Sequence, residues 1–201
     1  MKKKFFALMM AMVMILGLAA CGDSQQASSG SSDTGTESAA GAFKLGGTAP
    51  LTGGAAIYGN AAKNGAQIAV DEINAEGGAI QFELKYEDDT HDAEKAVNAY
   101  NALKDWGMQL SLGSVTSKPC EATAAETYAD RIFALTPSAS ATAVTEGKDN
   151  MFQMCFMDPN QGSASAQYIS EKGLGAKIAI IWKNDDVYSK GIHDTLSLIH
   201  I

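Results

Sequence analysis

Short apolar runs that alternate with longer segments of helical period constrain the fold of this chain more than any other feature of its sequence. Strands are predicted at residues 43–49, 81–87, 108–113, 132–135, 151–156 and 178–182, and helices at about 60–74, 92–105, 117–130 and 161–172. Strands that alternate with helices of about 10 to 15 residues are typical of βαβ units. The pattern therefore predicts an α/β fold with a doubly wound parallel sheet and helices on both of its faces.

Local signals mark several helix boundaries. Asp92 is a suitable N-cap for the second helix, and the pair Gly77-Gly78 is suited to end the first. The first helix is predicted to bury a face that contains Ala62, Ala66, Ala69 and Ile73.

The position of a binding site follows from the predicted topology. In open parallel sheets, ligands bind beyond the carboxyl ends of the strands, where loops and helix N-termini meet. The loops at 50–59, 113–117 and 136–142 follow predicted strands, so we expect a site to lie among them.

The first 21 residues carry an export signal. Three lysines at 2–4 precede an apolar run at 5–18, which is shorter than the roughly 20 residues of a membrane span. The sequence Leu18-Ala19-Ala20-Cys21 resembles the bacterial lipobox, which implies acylation of Cys21 and lipid anchoring outside the cytoplasm. An ordinary signal peptide with an incidental cysteine is the alternative.

Residues 22–42 consist mainly of Ser, Gly, Ala and Thr and contain no aromatic residue before Phe43. Such a segment buries too little apolar surface to offset its ordering entropy. We therefore expect a flexible tether between the lipid anchor and the folded part of the chain.

The composition argues against several functions. A net charge of -8 disfavours a nucleic-acid partner, and no phosphate-binding glycine motif or activated nucleophile is present. Cys120 and Cys155 do not have the spacing of a metal site, and free thiols are favoured over a disulfide between them, although both remain open. The sequence thus predicts no enzyme activity, no cofactor and no metal site.

Six segments occur in order along residues 43–193: APLTGGAAIYGNAAKNGAQIAVDEINAEGG, YEDDTHDAEKAV, GSVTS, LTPSASATAVTEGKD, DPNQG and IAIIWKNDDVYSKG. Together they resemble the leucine-isoleucine-valine-binding protein family of ABC-transporter receptors. The resemblance implies a two-lobed type I periplasmic-binding-protein fold that closes around a ligand in the cleft between its lobes.

The same resemblance suggests how the chain divides. Residues 43–157 would form the first, ligand-binding lobe, and 158–201 would begin a second lobe that is incomplete, so we expect a fragment. The ending 196–201 resembles the translation of a transposon end used in sequencing libraries and is interpreted as an artefactual tail, although its apolar residues also suit a helix.

The resemblance also implies a ligand-binding set, which comprises Tyr58, Ser117, Ser138, Ala139, Ser140 and Tyr188. Ser117 falls where the family places a serine on the ligand α-carboxylate, and a helix N-terminus there would add unpaired N–H donors. A plain N-cap is the alternative role for Ser117.

The other members of the set have distinct implied roles. The turn 138–140 would offer a backbone carbonyl to the ligand ammonium and a hydroxyl to its carboxylate, so Ser117 and Ser140 are both expected to donate to that carboxylate. Tyr58 would lie at the cleft edge, and Tyr188 would close over the ligand from the second lobe.

The chain departs from the family pattern at one pair of positions. One branch of the family carries a disulfide whose cysteines would fall at His91 and Thr116, so this chain lacks it. His91 lies among acidic residues and is expected to be a solvated loop residue rather than a metal ligand.

The implied partners are a small amino acid or similar carboxylate, ABC permease subunits, and the membrane through the lipid anchor. A sensing domain for amino acids, amides or small carboxylates is the alternative function. The sequence leaves open which ligand is bound, because much of the side-chain selectivity of the family comes from the second lobe.

Overall fold

The computed structural model describes residues 41–198, and its sheet has five parallel strands in the order β2-β1-β3-β4-β5. The strands are β1 (Phe43–Ala49), β2 (Phe82–Asp88), β3 (Leu110–Ser114), β4 (Phe133–Thr136) and β5 (Met151–Gln153). All four pairings are parallel, beginning with Phe43 opposite Phe82 between β1 and β2. The predicted α/β fold with a parallel sheet is therefore confirmed.

Five α-helices connect and follow these strands: α1 (Ala56–Ala75), α2 (Ala93–Trp106), α3 (Ser117–Asp130), α4 (Asp158–Lys172) and α5 (Val187–Leu198). A short 3-10 helix, Thr142–Val144, lies between β4 and β5. Within residues 41–198, no helix is both long enough and apolar enough to cross a membrane. The predicted lipid attachment at Cys21 lies outside the described residues, as do the signal peptide, nearly all of the tether and the last three residues.

Helix α2 shows how local sequence sets the boundaries of an element. The Asp92 side chain accepts a hydrogen bond of 2.9 Å from the Lys95 N–H, which confirms its predicted role as N-cap. Gly107 ends the helix with φ +94°, a left-handed conformation that glycine adopts without steric cost. Tyr100 and Leu103 on the inner face are fully buried.

The predicted inner face of α1 is partly wrong. Gly59 and Val70 are the buried residues of this helix, whereas Ala69 and Ile73 are exposed. Alanines occupy several sides of the helix, so hydrophobic periodicity does not define which side faces the sheet. The packing of Gly59 against Pro50 defines it instead.

The strand predicted at 178–182 is absent from the described structure. A strand is stabilised by hydrogen bonds to a neighbouring strand, and none of the five described strands lies beside this segment. Ile181 is consequently fully exposed despite the apolar character of the run.

A buried cluster lies between the sheet and α3 and extends beneath the loop that follows β4. Its members are Cys120, Ala124, Ala134, Ala139, Ala141, Val144 and Met151, and Val187 of α5 packs against them. Cys120 and Cys155 are free thiols, as the sequence favoured, and burial raises the pKa of Cys120 to about 12. The cluster thus supports the loop 138–141 from below and holds the start of α5 against it.

Asp89 is a fully buried carboxyl group directly after β2, and it predicts a pH dependence of stability. Desolvation raises its pKa from an ordinary 3.8 to about 6. Because the folded state binds this proton more tightly than the unfolded state, the contribution of Asp89 to stability is greatest below about pH 4 and falls as the pH rises to about 6. At pH 7 the ionised group costs about 1 to 3 kcal/mol of unfolding free energy.

The Asp89→Asn protein should therefore be more stable than the original at pH 7, by about 1 to 3 kcal/mol, and the difference should vanish near pH 4. Urea unfolding of both proteins at several values between pH 4 and 8 measures this difference while other titrating groups cancel. A difference in unfolding free energy between the two proteins that stays constant from pH 4 to 8 would contradict the raised pKa of Asp89.

Candidate functional site

A cavity of about 440 Å³ lies beyond the carboxyl ends of the strands, among the loops expected to form a site. Five of the predicted residues line it: Tyr58, Ser117, Ser138, Ser140 and Tyr188. Ala139 does not, because its side chain is buried in the cluster beneath the loop. The fold therefore brings five of the six predicted residues together around one space.

Ser117 is the first residue of α3, and Thr116 occupies the N-cap position, so the alternative role of Ser117 as a plain N-cap is wrong. The Ser117 Oγ accepts hydrogen bonds from the backbone N–H of Ser140 at 3.1 Å and of Ala141 at 3.3 Å. A hydroxyl has two acceptor sites and one proton. Since both acceptor sites are occupied, the Ser117 hydroxyl retains only its proton for a further partner.

The Ser140 hydroxyl has the opposite hydrogen-bonding role, because it donates where the Ser117 hydroxyl accepts. Its Oγ donates to the Asp158 Oδ1 at 2.6 Å, so its single proton is already used. The expectation that Ser140 donates to a ligand carboxylate is therefore corrected: in this geometry it offers only lone pairs. The sequence did not reveal this because Asp158 belongs to the next helix and carries no local signal for the contact.

Asp158 holds the Ser140 turn through two bonds. Besides accepting the hydroxyl proton, it donates its own backbone N–H to the Ser140 carbonyl at 3.0 Å. The carboxyl group is buried, and its Oδ2 has no hydrogen-bond partner among the described residues. Desolvation raises the pKa of Asp158. The hydrogen bond from Ser140 lowers this pKa in part, and the nearby charge of Asp186 raises it further.

Thr136, the last residue of β4, shapes the turn that carries Ser138 and Ser140. Its Oγ1 donates to the Ser114 carbonyl at 2.7 Å and accepts from the Ala139 N–H at 3.0 Å. This bond connects the ends of β3 and β4, so the loops after these two strands are fixed relative to each other.

His91 is a partly exposed loop residue, as the sequence suggested, and its side chain also lines the cavity. Its Nδ1 lies 2.9 Å from the Thr116 Oγ1, and its Nε2 lies 3.3 Å from the Asp186 Oδ2. The resemblance carried the signal for this contact, because it placed His91 and Thr116 at positions that are bridged in one branch of the family. In this chain a hydrogen bond joins the two residues.

The remaining walls are largely apolar or aromatic. Val115, Phe156 and the rings of Tyr58 and Tyr188 surround the space, and the Gln161 Nε2 lies 3.4 Å from the Tyr188 hydroxyl. Phe156, Gln161 and Asp186 were not identified from the sequence. Among the described residues that line the cavity there is no lysine or arginine, so an anionic group would depend on hydroxyl and backbone donors.

A family model described as "Periplasmic binding protein" matches residues 42–199. The Leu/Ile/Val-binding protein BraC3 of Rhizobium johnstonii is 34% identical over 149 residues, which are 73% of this chain and 40% of that protein. A leucine-, isoleucine-, valine-, threonine- and alanine-binding protein of Pseudomonas aeruginosa is 31% identical over 77% of this chain and 42% of its own length.

Solved structures share the architecture. The branched-chain amino acid transporter substrate-binding protein LivJ of Streptococcus pneumoniae, in complex with isoleucine, has a TM-score of 0.73 and 31% identity, and the match covers 78% of this chain and 46% of LivJ. A Rhodopseudomonas palustris solute-binding protein in complex with benzoate matches at a TM-score of 0.65 and 20% identity, over 78% of this chain and 45% of its own, which shows the fold alone. The chain spans about two fifths of the length of the curated relatives that it matches.

Proposed function

The chain belongs to the periplasmic binding protein family, whose members bind solutes without enzymatic activity, and we propose that the protein is the capture component of an ABC importer for branched-chain or related amino acids. The names of its relatives, which include leucine-, isoleucine- and valine-binding proteins, support this ligand class. ABC permease subunits are the proposed partners.

The observation that carries the proposal is the opposite polarity of the two buried serines in the cavity. Ser117 has a proton to donate and no free acceptor site, whereas Ser140 has free lone pairs and no proton. An α-amino acid presents a carboxylate, which only accepts, and an ammonium, which only donates. The pair therefore matches both charged groups of one amino acid.

Backbone dipoles support the carboxylate half of this arrangement. Ser117 begins α3, where the first N–H groups of the helix have no intrahelical partner and the helix dipole favours negative charge. A carboxylate there needs no lysine or arginine. Asp158 supports binding of the ammonium group, because its carboxyl group accepts the Ser140 proton and leaves the lone pairs of the Ser140 hydroxyl free.

The apolar walls suit an aliphatic side chain. A cavity of about 440 Å³ falls in the usual range for small-molecule sites, about 300 to 1,000 Å³. Tyr58, Val115, Phe156 and Tyr188 offer apolar surface on which branched methyl groups can be buried. The lining thus combines a few polar groups with a mainly apolar enclosure.

Calorimetry with the intact protein, meaning the complete reading frame that encodes this chain, tests the ligand class. Leucine should bind more tightly than leucinamide, which lacks the carboxylate, and more tightly than 4-methylpentanoate, which lacks the ammonium. The expected loss is at least about tenfold for each analogue, because a hydrogen bond to a charged group contributes about 1.5 to 3 kcal/mol. Tighter binding of 4-methylpentanoate or benzoate would favour a receptor for simple carboxylates instead.

Lipid anchoring at Cys21 belongs to the same proposal and is supported by the basic start, the apolar run and the sequence Leu18-Ala19-Ala20-Cys21. Replacing Cys21 by alanine should release the protein from the membrane fraction or leave its signal peptide uncleaved, because no cysteine remains at the lipobox position to carry the acyl chains. Fractionation and gel migration of both proteins measure the outcome, with Ser24→Ala as a control in the same segment. Unchanged fractionation and migration of the Cys21→Ala protein would exclude the anchor.

A further inference from the structure

We propose that His91 is a positioning residue for ligand capture, which holds the N-terminus of α5, and with it Tyr188, over the cavity by donating a hydrogen bond to Asp186. This inference rests on the proposed function. The bond joins two segments that are 95 residues apart in the chain. Within residues 41–198 it is the only hydrogen bond that connects residues 183–198 to the loops following the strands.

The His91 ring is held in place from its own side of the cavity. The residue has φ +62°, a left-handed conformation that is uncommon for a side chain of this size, and the preceding Thr90 has φ +48°. Its backbone N–H donates to the buried Asp89 carboxylate at 2.8 Å, which secures this turn from below. Such local strain persists only where the surroundings enforce it.

The hydrogen-bond roles of the ring follow from its partners. A carboxylate only accepts, so the Nε2 atom carries the proton that faces Asp186, and the Thr116 hydroxyl can then donate to Nδ1. Both nitrogens are thereby satisfied, and the ring spans the space between α3 and α5. His91 therefore acts on the ligand through Asp186 and Tyr188.

Asp186 transmits this contact to α5 because its two oxygens have different partners. Oδ1 accepts from the Ser189 N–H at 3.0 Å, as an N-cap does, while Oδ2 faces His91. Tyr188 lies between Asp186 and Ser189 in the sequence and lines the cavity. Fixing Asp186 in space therefore fixes the start of α5 and the direction from which Tyr188 covers a ligand.

Two substitutions remove the bond while preserving the local backbone. His91→Asn keeps a residue type that tolerates the left-handed conformation, and Asp186→Ser keeps a side chain that caps helices but is shorter. Each should increase the dissociation rate of leucine by about three- to tenfold in the intact protein, and the double substitution should add little further, because both remove the same contact. Asp185→Ser, in an exposed neighbour, is the matched control and should leave the rate unchanged.

Stopped-flow dissociation rates and melting temperatures without ligand, measured for all five proteins, separate positioning from general stability. Faster dissociation at an unchanged melting temperature supports the proposal. Unchanged dissociation in both single variants, or effects that add fully in the double variant, would overturn it. Failure of the unsubstituted protein to bind any amino acid would instead overturn the proposed function on which it rests.

Discussion

Replacing Gly59 by alanine should destabilise the protein by about 2 kcal/mol or more, although alanine is the better helix former by about 1 kcal/mol. A Cβ at this buried position would lie 2.1 Å from the Pro50 carbonyl oxygen and 2.7 Å from its carbon. Both are backbone atoms and cannot rotate away as a flexible side chain would. Either α1 or the loop after β1 must therefore move.

Gly65 provides the matched control because it lies in the same helix, and a Cβ added there would meet no atom within 4 Å. Gly65→Ala should stabilise the protein by about 0.5 to 1 kcal/mol through helix propensity alone. Urea unfolding should separate the two variants by about 3 kcal/mol, with the original protein between them. If the Gly59→Ala protein is as stable as the original or more stable, α1 can shift away from Pro50 without cost.

The order of elements was predictable because each is specified locally. Asp92 and Gly107 delimit α2 by capping and by left-handed backbone, and both effects depend on neighbouring residues alone. Parallel topology then requires the loops after β1, β3 and β4 to meet at one edge of the sheet, whatever the details of packing. The location of the cavity follows from these two facts.

The hydrogen-bond directions within the cavity could not be predicted in the same way. Whether Ser140 donates or accepts depends on Asp158, 18 residues away, and the partner of the His91 ring is Asp186, 95 residues away. Neither partner forms a pattern with its counterpart along the chain. Such roles become visible only when tertiary packing has placed both groups.

The face of α1 illustrates a different limit. Hydrophobic periodicity distinguishes the two sides of a helix only where they differ in side-chain size, and alanines are distributed around α1. Helix α2 differs, because the large side chains of Tyr100 and Leu103 are buried on one of its faces. The steric fit of Gly59 to Pro50 orients α1, and that contact has no periodic signature.

Ser117→Ala in the intact protein should weaken leucine binding by about tenfold to a hundredfold, because it removes a buried donor to a charged carboxylate, worth about 1.5 to 3 kcal/mol. The structure adds a second effect. The Ser117 Oγ also accepts from the Ser140 and Ala141 N–H groups, so the substitution leaves two backbone donors without this acceptor. A modest loss of stability, about 1 to 3 kcal/mol, should therefore accompany the loss of affinity.

Leucinamide distinguishes the two effects, because it lacks the carboxylate but fills the same apolar walls. If Ser117 donates to the carboxylate, Ser117→Ala should reduce the affinity for leucine strongly and the affinity for leucinamide little. Ser170→Ala, an exposed substitution on α4, controls for the loss of a serine hydroxyl elsewhere. Calorimetric titration of both ligands into the three proteins gives the comparison. An equal loss for both ligands would mean that the 138–141 loop has moved rather than that a carboxylate contact is lost, and no loss for either would place the carboxylate on other donors.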